Sequence, residues 1–100
     1  MTTKDYNNQL ARHFRECLEI STAKNADYAD IDNPFKNFEL SAQVANLPVA
    51  KGMMIRLMDK MTRISNLLER EEVVKDEKIE DTIKDAINYL NILLTYLENK

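Results

Sequence analysis

The stretch Arg56-Leu57-Met58-Asp59-Lys60-Met61-Thr62-Arg63-Ile64-Ser65-Asn66-Leu67-Leu68 decides the fold. Leu57, Met58, Met61, Ile64, Leu67 and Leu68 recur at three- and four-residue intervals, the period of a helix with one apolar side. Asp59, Arg63 and Asn66 lie at i, i+4 and i+7, so the three polar side chains stack on another side of the same helix. Upstream, Asn46 and Pro48 read as a start signal, a capping side chain followed by proline in the first turn. The predicted helix spans residues 48–70, with Met54 joining its buried side. Gly52, the single glycine of the chain, falls inside it at a cost of about 1 kcal/mol relative to alanine. Its presence implies a close approach by another helix or a ligand.

The polar spacing recurs downstream, where Asp81, Asp85 and Asn88 again stand at i, i+4 and i+7. They sit in a second predicted helix, residues 76–98, capped by Asp76 and striped by Ile79, Ile83, Ala86, Leu90, Leu93 and Leu97. Tyr89, Ile92 and Tyr96 add a second apolar strip. A helix in a small monomeric bundle needs only one stripe, so this strip predicts self-association. Folded as an antiparallel hairpin about residues 71–76, the two helices set Asp59 opposite Asn88, Arg63 opposite Asp85 and Asn66 opposite Asp81. Three carboxylates, a guanidinium and two amides then converge. Carboxylates hold a hard cation such as magnesium, and an arginine clamps phosphate. The plainer alternative is a solvated polar flank with Arg63 paired to Asp85 and nothing bound.

The remaining chain supplies a third long helix and a short one. Residues 4–24 carry Tyr6, Leu10, Phe14, Cys17, Leu18 and Ser21 at helical spacing. Thr2 or Thr3 caps this helix, Asp5 suits its positive end, and Asn25 is its expected stop. Residues 25–34 form the one irregular segment, with a turn where Asp32 and Asn33 precede Pro34. Phe35 and Phe38 are expected to anchor that segment, and residues 37–45 to form the short helix. In the irregular segment Lys24 can reach a phosphate and Tyr28 can stack on a base; the alternative is a solvated acidic loop. Asp27, Asp30 and Asp32 do not make a calcium loop of the EF-hand type, for lack of the turn glycine and closing glutamate. The cluster Met53, Met54, Met58 and Met61 suits varied partners, but its spacing fits ordinary core packing better. His13 is the only histidine, which leaves a histidine-based zinc site without ligands. Cys17, the only cysteine, rules out an intrachain disulfide and reads as a small core residue.

Composition narrows the function classes. One hundred residues make one domain. A hydrophobic share of 44% is enough to fold, and one glycine with two prolines leaves too little turn material for a sheet. The net charge of −3, with basic and acidic residues interleaved, gives no basis for binding duplex nucleic acid. No apolar run is long enough to span a bilayer, and the polar N-terminus does not read as a signal peptide. A cytoplasmic protein is expected.

Three runs together resemble a known family. Lys24-Asn25-Ala26-Asp27-Tyr28 with Pro34-Phe35-Lys36-Asn37-Phe38, the stretch from Arg56 to Leu68, and Asp76-Glu77 followed by Asp81, Asp85, Asn88 and Tyr89 look like the nucleotide modification associated domain 1 family. These are small phage and bacterial proteins. That family is similar in layout to the MazG-like all-α nucleotide pyrophosphohydrolases, which hold magnesium with Glu-x-x-Glu on one helix and Glu-x-x-Asp on the next. Asp85 matches the final aspartate and Asp59 one acidic position of the first motif. Asp81 falls one position before the second-motif glutamate, where Thr82 stands, and Thr62 replaces another acid.

The resulting expectation is an all-α, MazG-like bundle of three long helices and one short one, completed by homo-oligomerisation. It binds a nucleotide through Lys24, Asp27, Tyr28, Arg56, Lys60, Arg63, Asn66 and Asn88. In the hydrolytic form Asp59, Asp81 and Asp85 hold Mg2+, Asp59 and Asp85 being catalytic, and a nucleoside triphosphate is split to monophosphate and pyrophosphate. In the alternative form a phage protein sequesters a host-defence signalling nucleotide without hydrolysing it. A purely structural bundle, using the second apolar strip as its partner surface, is the third reading.

Overall fold

The structure is a computed structural model that describes residues 1–28, 32–70 and 78–100, with side chains of the first helix described as far as Asn25. The expected all-α class holds. Four helices and no strand occur among the described residues: α1 (Thr3–Tyr28), α2 (Lys36–Ala45), α3 (Val49–Glu69) and α4 (Ile79–Asn99). Three are long and one is short, as the apolar periodicities require.

The helix ends show which local signals operate. Thr2 and Asp5 cap α1 reciprocally: the Asp5 N–H donates to Thr2 Oγ1 at 3.1 Å and the Thr2 N–H to Asp5 Oδ2 at 3.3 Å. This satisfies amide donors that a helix start otherwise leaves open. Asn25 does not stop the helix, which continues to Tyr28. An asparagine ends a helix when it adopts the left-handed conformation, and the asparagine that does so is Asn46, at φ 55 and ψ 47. Asn46 therefore closes α2 instead of capping α3. The residue flanking the start of α3 is Pro48, with no side-chain cap, and its carbonyl accepts from Gly52 N–H at 3.1 Å. The expected cap at Asp76 and the expected hairpin turn lie outside the described residues; α4 begins after Lys78.

Asn33 builds the turn into α2. Its Oδ1 accepts the Phe35 N–H at 3.1 Å and its carbonyl accepts the Lys36 N–H at 3.2 Å, the short-range bonding that makes asparagine a turn former. The two phenylalanines, expected to anchor the irregular segment, hold the start of α2 against α4. Phe35 meets Tyr96 edge-on at 5.3 Å between ring centroids, and Phe38 meets Tyr89 at 6.4 Å. The strip Tyr89, Ile92, Tyr96, expected to serve self-association, is thus covered in part by α2 of the same chain.

α4 is the centre of the arrangement, with α3 on one side and α1 on another, while α2 packs on α3. Lys60 meets Asp85, and Phe38 joins Arg56 to Tyr89 one turn away. The numbers fall on one helix as they rise on the other, so α3 and α4 are antiparallel. The buried apolar residues are Cys17, Ala42, Met53, Leu57, Leu67 and Ala86. Met53 is the deepest at 1% exposure, whereas Met54, Met58, Met61 and Leu68, expected on the buried side, are exposed. α3 is turned so that Met53 and Leu57 point inward and Gly52 faces α2. A Cβ at Gly52 would stand 3.7 Å from the Ala42 Cβ, so the close approach inferred from the glycine is that of a helix.

That distance is ordinary contact, so Gly52→Ala removes the helix penalty without a clash. It should raise stability by about 0.5–1 kcal/mol. Met53→Ala empties the most buried position and should cost about 2–5 kcal/mol. Chemical unfolding of both variants measures the two effects, which have opposite signs.

Candidate functional site

The polar centre of the molecule is Asp85. Two turns of helix bring Asp81, Asp85 and Asn88 to neighbouring positions on α4, but only the last two turn inward. Asp85 Oδ1 accepts a hydrogen bond from Lys24 Nζ of α1 at 3.0 Å, and Oδ2 accepts from Lys60 Nζ of α3 at 3.2 Å. The interhelical ion pair exists, with Lys60 and Lys24 in place of Arg63. Lys60 stands about one turn before Arg63, and its ammonium reaches Asp85 across the α3–α4 seam.

Burial raises the pKa of the Asp85 carboxyl, and the hydrogen bonds from Lys24 and Lys60 more than reverse this, leaving it below the ordinary aspartate range. The side chain is 21% exposed, as is that of Lys60, while Lys24 is 57% exposed. The inner half of the clamp is therefore the stronger half, because solvent screens an exposed pair. A second rung lies beside it: Lys84 Nζ donates to Glu16 Oε2 at 2.7 Å, lowering the Glu16 pKa and raising that of Lys84. Asn88 Nδ2 donates to the Cys17 carbonyl at 3.1 Å. This pins α1 to α4 and assigns Asn88 a structural bond besides its place at the site. Burial pushes the Cys17 thiol up, which suits the core residue expected and not a nucleophile.

Around this centre opens a cleft of about 580 Å³, within the range of small-molecule sites. Its described lining combines cations (Lys24, Arg56), amides (Asn25, Asn37, Asn88), hydroxyls (Ser21, Ser41), the Phe38–Tyr89 pair and Asp85. Arg56 lies over the Phe38 ring at 5.6 Å from its centroid, a cation–π contact that holds the guanidinium at the cleft wall. Lys60 adjoins through Asp85. Two lysines thus meet one carboxylate, and Arg56 stands at the wall of the same cleft.

Of the residues predicted for the site, Lys24, Arg56, Lys60, Asp85 and Asn88 come together. Asp59, Arg63 and Asn66 are exposed on α3 and do not line the cleft, and Asp81 is exposed in the first turn of α4. The side chains of Asp27 and Tyr28 lie outside the described residues. No group of three or more His, Cys, Asp or Glu side chains able to hold a metal ion occurs among the described residues. Asp59, Asp81 and Asp85 are therefore not assembled as the matched spacings implied. Equal spacing sets the relative angles within each helix, but not the rotation of one helix against the other. Sequence reasoning missed Phe38, Ser21, Ser41 and Asn37 as lining residues. The Phe-Lys-Asn-Phe run was legible only as an anchor. Comparison with family models, curated proteins and solved structures finds no match.

The Asp85 clamp predicts a defined acid sensitivity. Its folded pKa lies below the unfolded value, so its stabilisation is full above about pH 4 and is lost as pH falls through the lower folded value. Acid unfolding followed by circular dichroism should show that share of the pH dependence in the parent chain and not in Asp85→Asn. At neutral pH the variant should be the less stable of the two.

Proposed function

We propose that this protein binds a nucleotide in the cleft bounded by Lys24, Phe38, Arg56 and Tyr89. The observation that carries this reading is the combination found there. Cations exceed carboxylates, an aromatic pair forms one wall, and amides stand between. Phosphates call for the first, a base for the second, and the hydrogen-bonding edges of a base for the third. A simple anion would need no aromatic wall, and an apolar ligand would have no use for cations at the lining. The resemblance to nucleotide modification associated proteins supports the same ligand class.

The proposal is binding, with the ligand retained unchanged. Asp85 is the one carboxylate among the described lining residues, and both its oxygens accept hydrogen bonds from lysines. A carboxylate so used serves as counter-ion to the cations that would meet the phosphates. This fits the sequestering form of the expectation, in which affinity matters and turnover does not. No helix among the described residues is long and apolar enough to cross a membrane, which agrees with a ligand taken from solution.

A thermal-shift screen should contain deoxynucleoside triphosphates and cyclic di- and trinucleotides, with and without magnesium. A ligand that binds only the folded chain raises the melting temperature by mass action. The expected result is a magnesium-independent shift, the ligand recovered intact by chromatography. Arg56→Ala should weaken binding by on the order of tenfold or more, the scale of a lost hydrogen bond to a charged group. Arg70→Gln, exposed at the far end of α3 and outside the cleft lining, should leave it unchanged. Recovery of a monophosphate in the presence of magnesium would replace this reading with the pyrophosphohydrolase one. No shift with any nucleotide would end both.

A further inference from the structure

The chain exposes more surface than its mass accounts for. Its accessible area is 7922 Å², whereas a compact monomer of 11.7 kDa exposes about 5900 Å² by the scaling of surface with mass. The surplus, about 2000 Å², exceeds the roughly 800 Å² that each partner buries in a standard stable interface. Exposed apolar side chains occur on all four helices, and α1 carries one continuous stripe of them. Tyr6, Leu10, Phe14 and Leu18 recur at four-residue steps along α1, and Phe14 and Leu18 are 65% and 63% exposed. Every residue from 1 to 12 is exposed. α1 meets α4 through Glu16, Cys17 and Lys24, all in its later half. The earlier half is a capped, regular helix whose apolar stripe stays exposed among the described residues.

The charges along this segment select the occupant. Lys4, Arg12 and Arg15 are matched by Asp5, Glu16 and Glu19. An anionic membrane surface or nucleic acid gains no net attraction from such a balance, whereas an identical segment suffers no net repulsion. We infer that the stripe Tyr6, Leu10, Phe14 and Leu18 of α1 is a self-association surface, covered by the same stripe of a second copy of this chain. A twofold axis makes such a contact self-complementary. This surface differs from the Tyr89–Tyr96 strip, which α2 occupies, and the inference does not depend on nucleotide binding.

Sedimentation or light scattering of the ligand-free protein at micromolar concentration tests it. The parent chain should be a dimer or a larger even-numbered assembly. Phe14→Glu combined with Leu10→Glu should release monomers that keep their helical circular dichroism, since neither side chain is buried in the single chain. Met58→Glu, on the exposed flank of α3, should leave the assembly intact. A monomeric parent chain overturns the inference. So does an assembly that survives the α1 double variant or is dissolved by Met58→Glu alone. If the double variant unfolds, crosslinking through a cysteine placed at Leu10 decides. Covalent dimers under mild oxidation support the α1 pairing, and monomers overturn it.

Discussion

One carboxylate ties three helices together. Asp85 on α4 accepts from Lys24 on α1 and from Lys60 on α3, and those helices touch each other little except through α4. A partly buried carboxylate is costly to desolvate and is tolerated when both oxygens are satisfied. Here the two donors come from different directions, so meeting that requirement also fixes the angle at which α1 crosses α4. The Glu16–Lys84 pair and the Asn88 bond to the Cys17 carbonyl add to the same junction. The first of these is exposed enough that its own contribution is small, and its value lies in setting register.

The cleft is a by-product of how α2 is held. α2 is too short to be stable alone, and it is fixed by ring contacts to α4 and by the Gly52–Ala42 approach to α3. Two attachments on different helices leave a gap between α2 and the end of α1. Lys24, Arg56, Tyr89 and Phe38 line that gap. The same rings therefore secure the scaffold and supply the aromatic wall. A site residue with two duties of this kind gives little sign of the second in the sequence.

The thin core is the third constraint. Only six apolar residues are buried among those described: Cys17, Ala42, Met53, Leu57, Leu67 and Ala86. The stripes on α1 and the outer flank of α3 are as regular as the buried ones. Apolar periodicity alone therefore does not separate a face buried within the chain from one that the chain leaves exposed.

The sequence by itself determined the all-α class, the four helices, a threonine cap at Thr2 or Thr3, the turn at Asn33 and the anchoring by Phe35 and Phe38. These are short-range effects: amide satisfaction, turn chemistry and periodic burial all act within a few residues. It also singled out Lys24, Arg56, Lys60, Asp85 and Asn88. The tertiary structure alone decided that Lys60 and Lys24, not Arg63, take Asp85. It also decided that Asp59 and Asp81 face solvent, and that Met53 is buried while Met54 and Met58 are not. Each of these depends on how far one helix is rotated about its axis against another. A spacing of i, i+4 and i+7 is unchanged by that rotation, so the pattern contains no information about it. The rotation is set by the fit of Gly52 against Ala42 and by the reach of two lysines to one carboxylate, contacts that exist only once the helices have met.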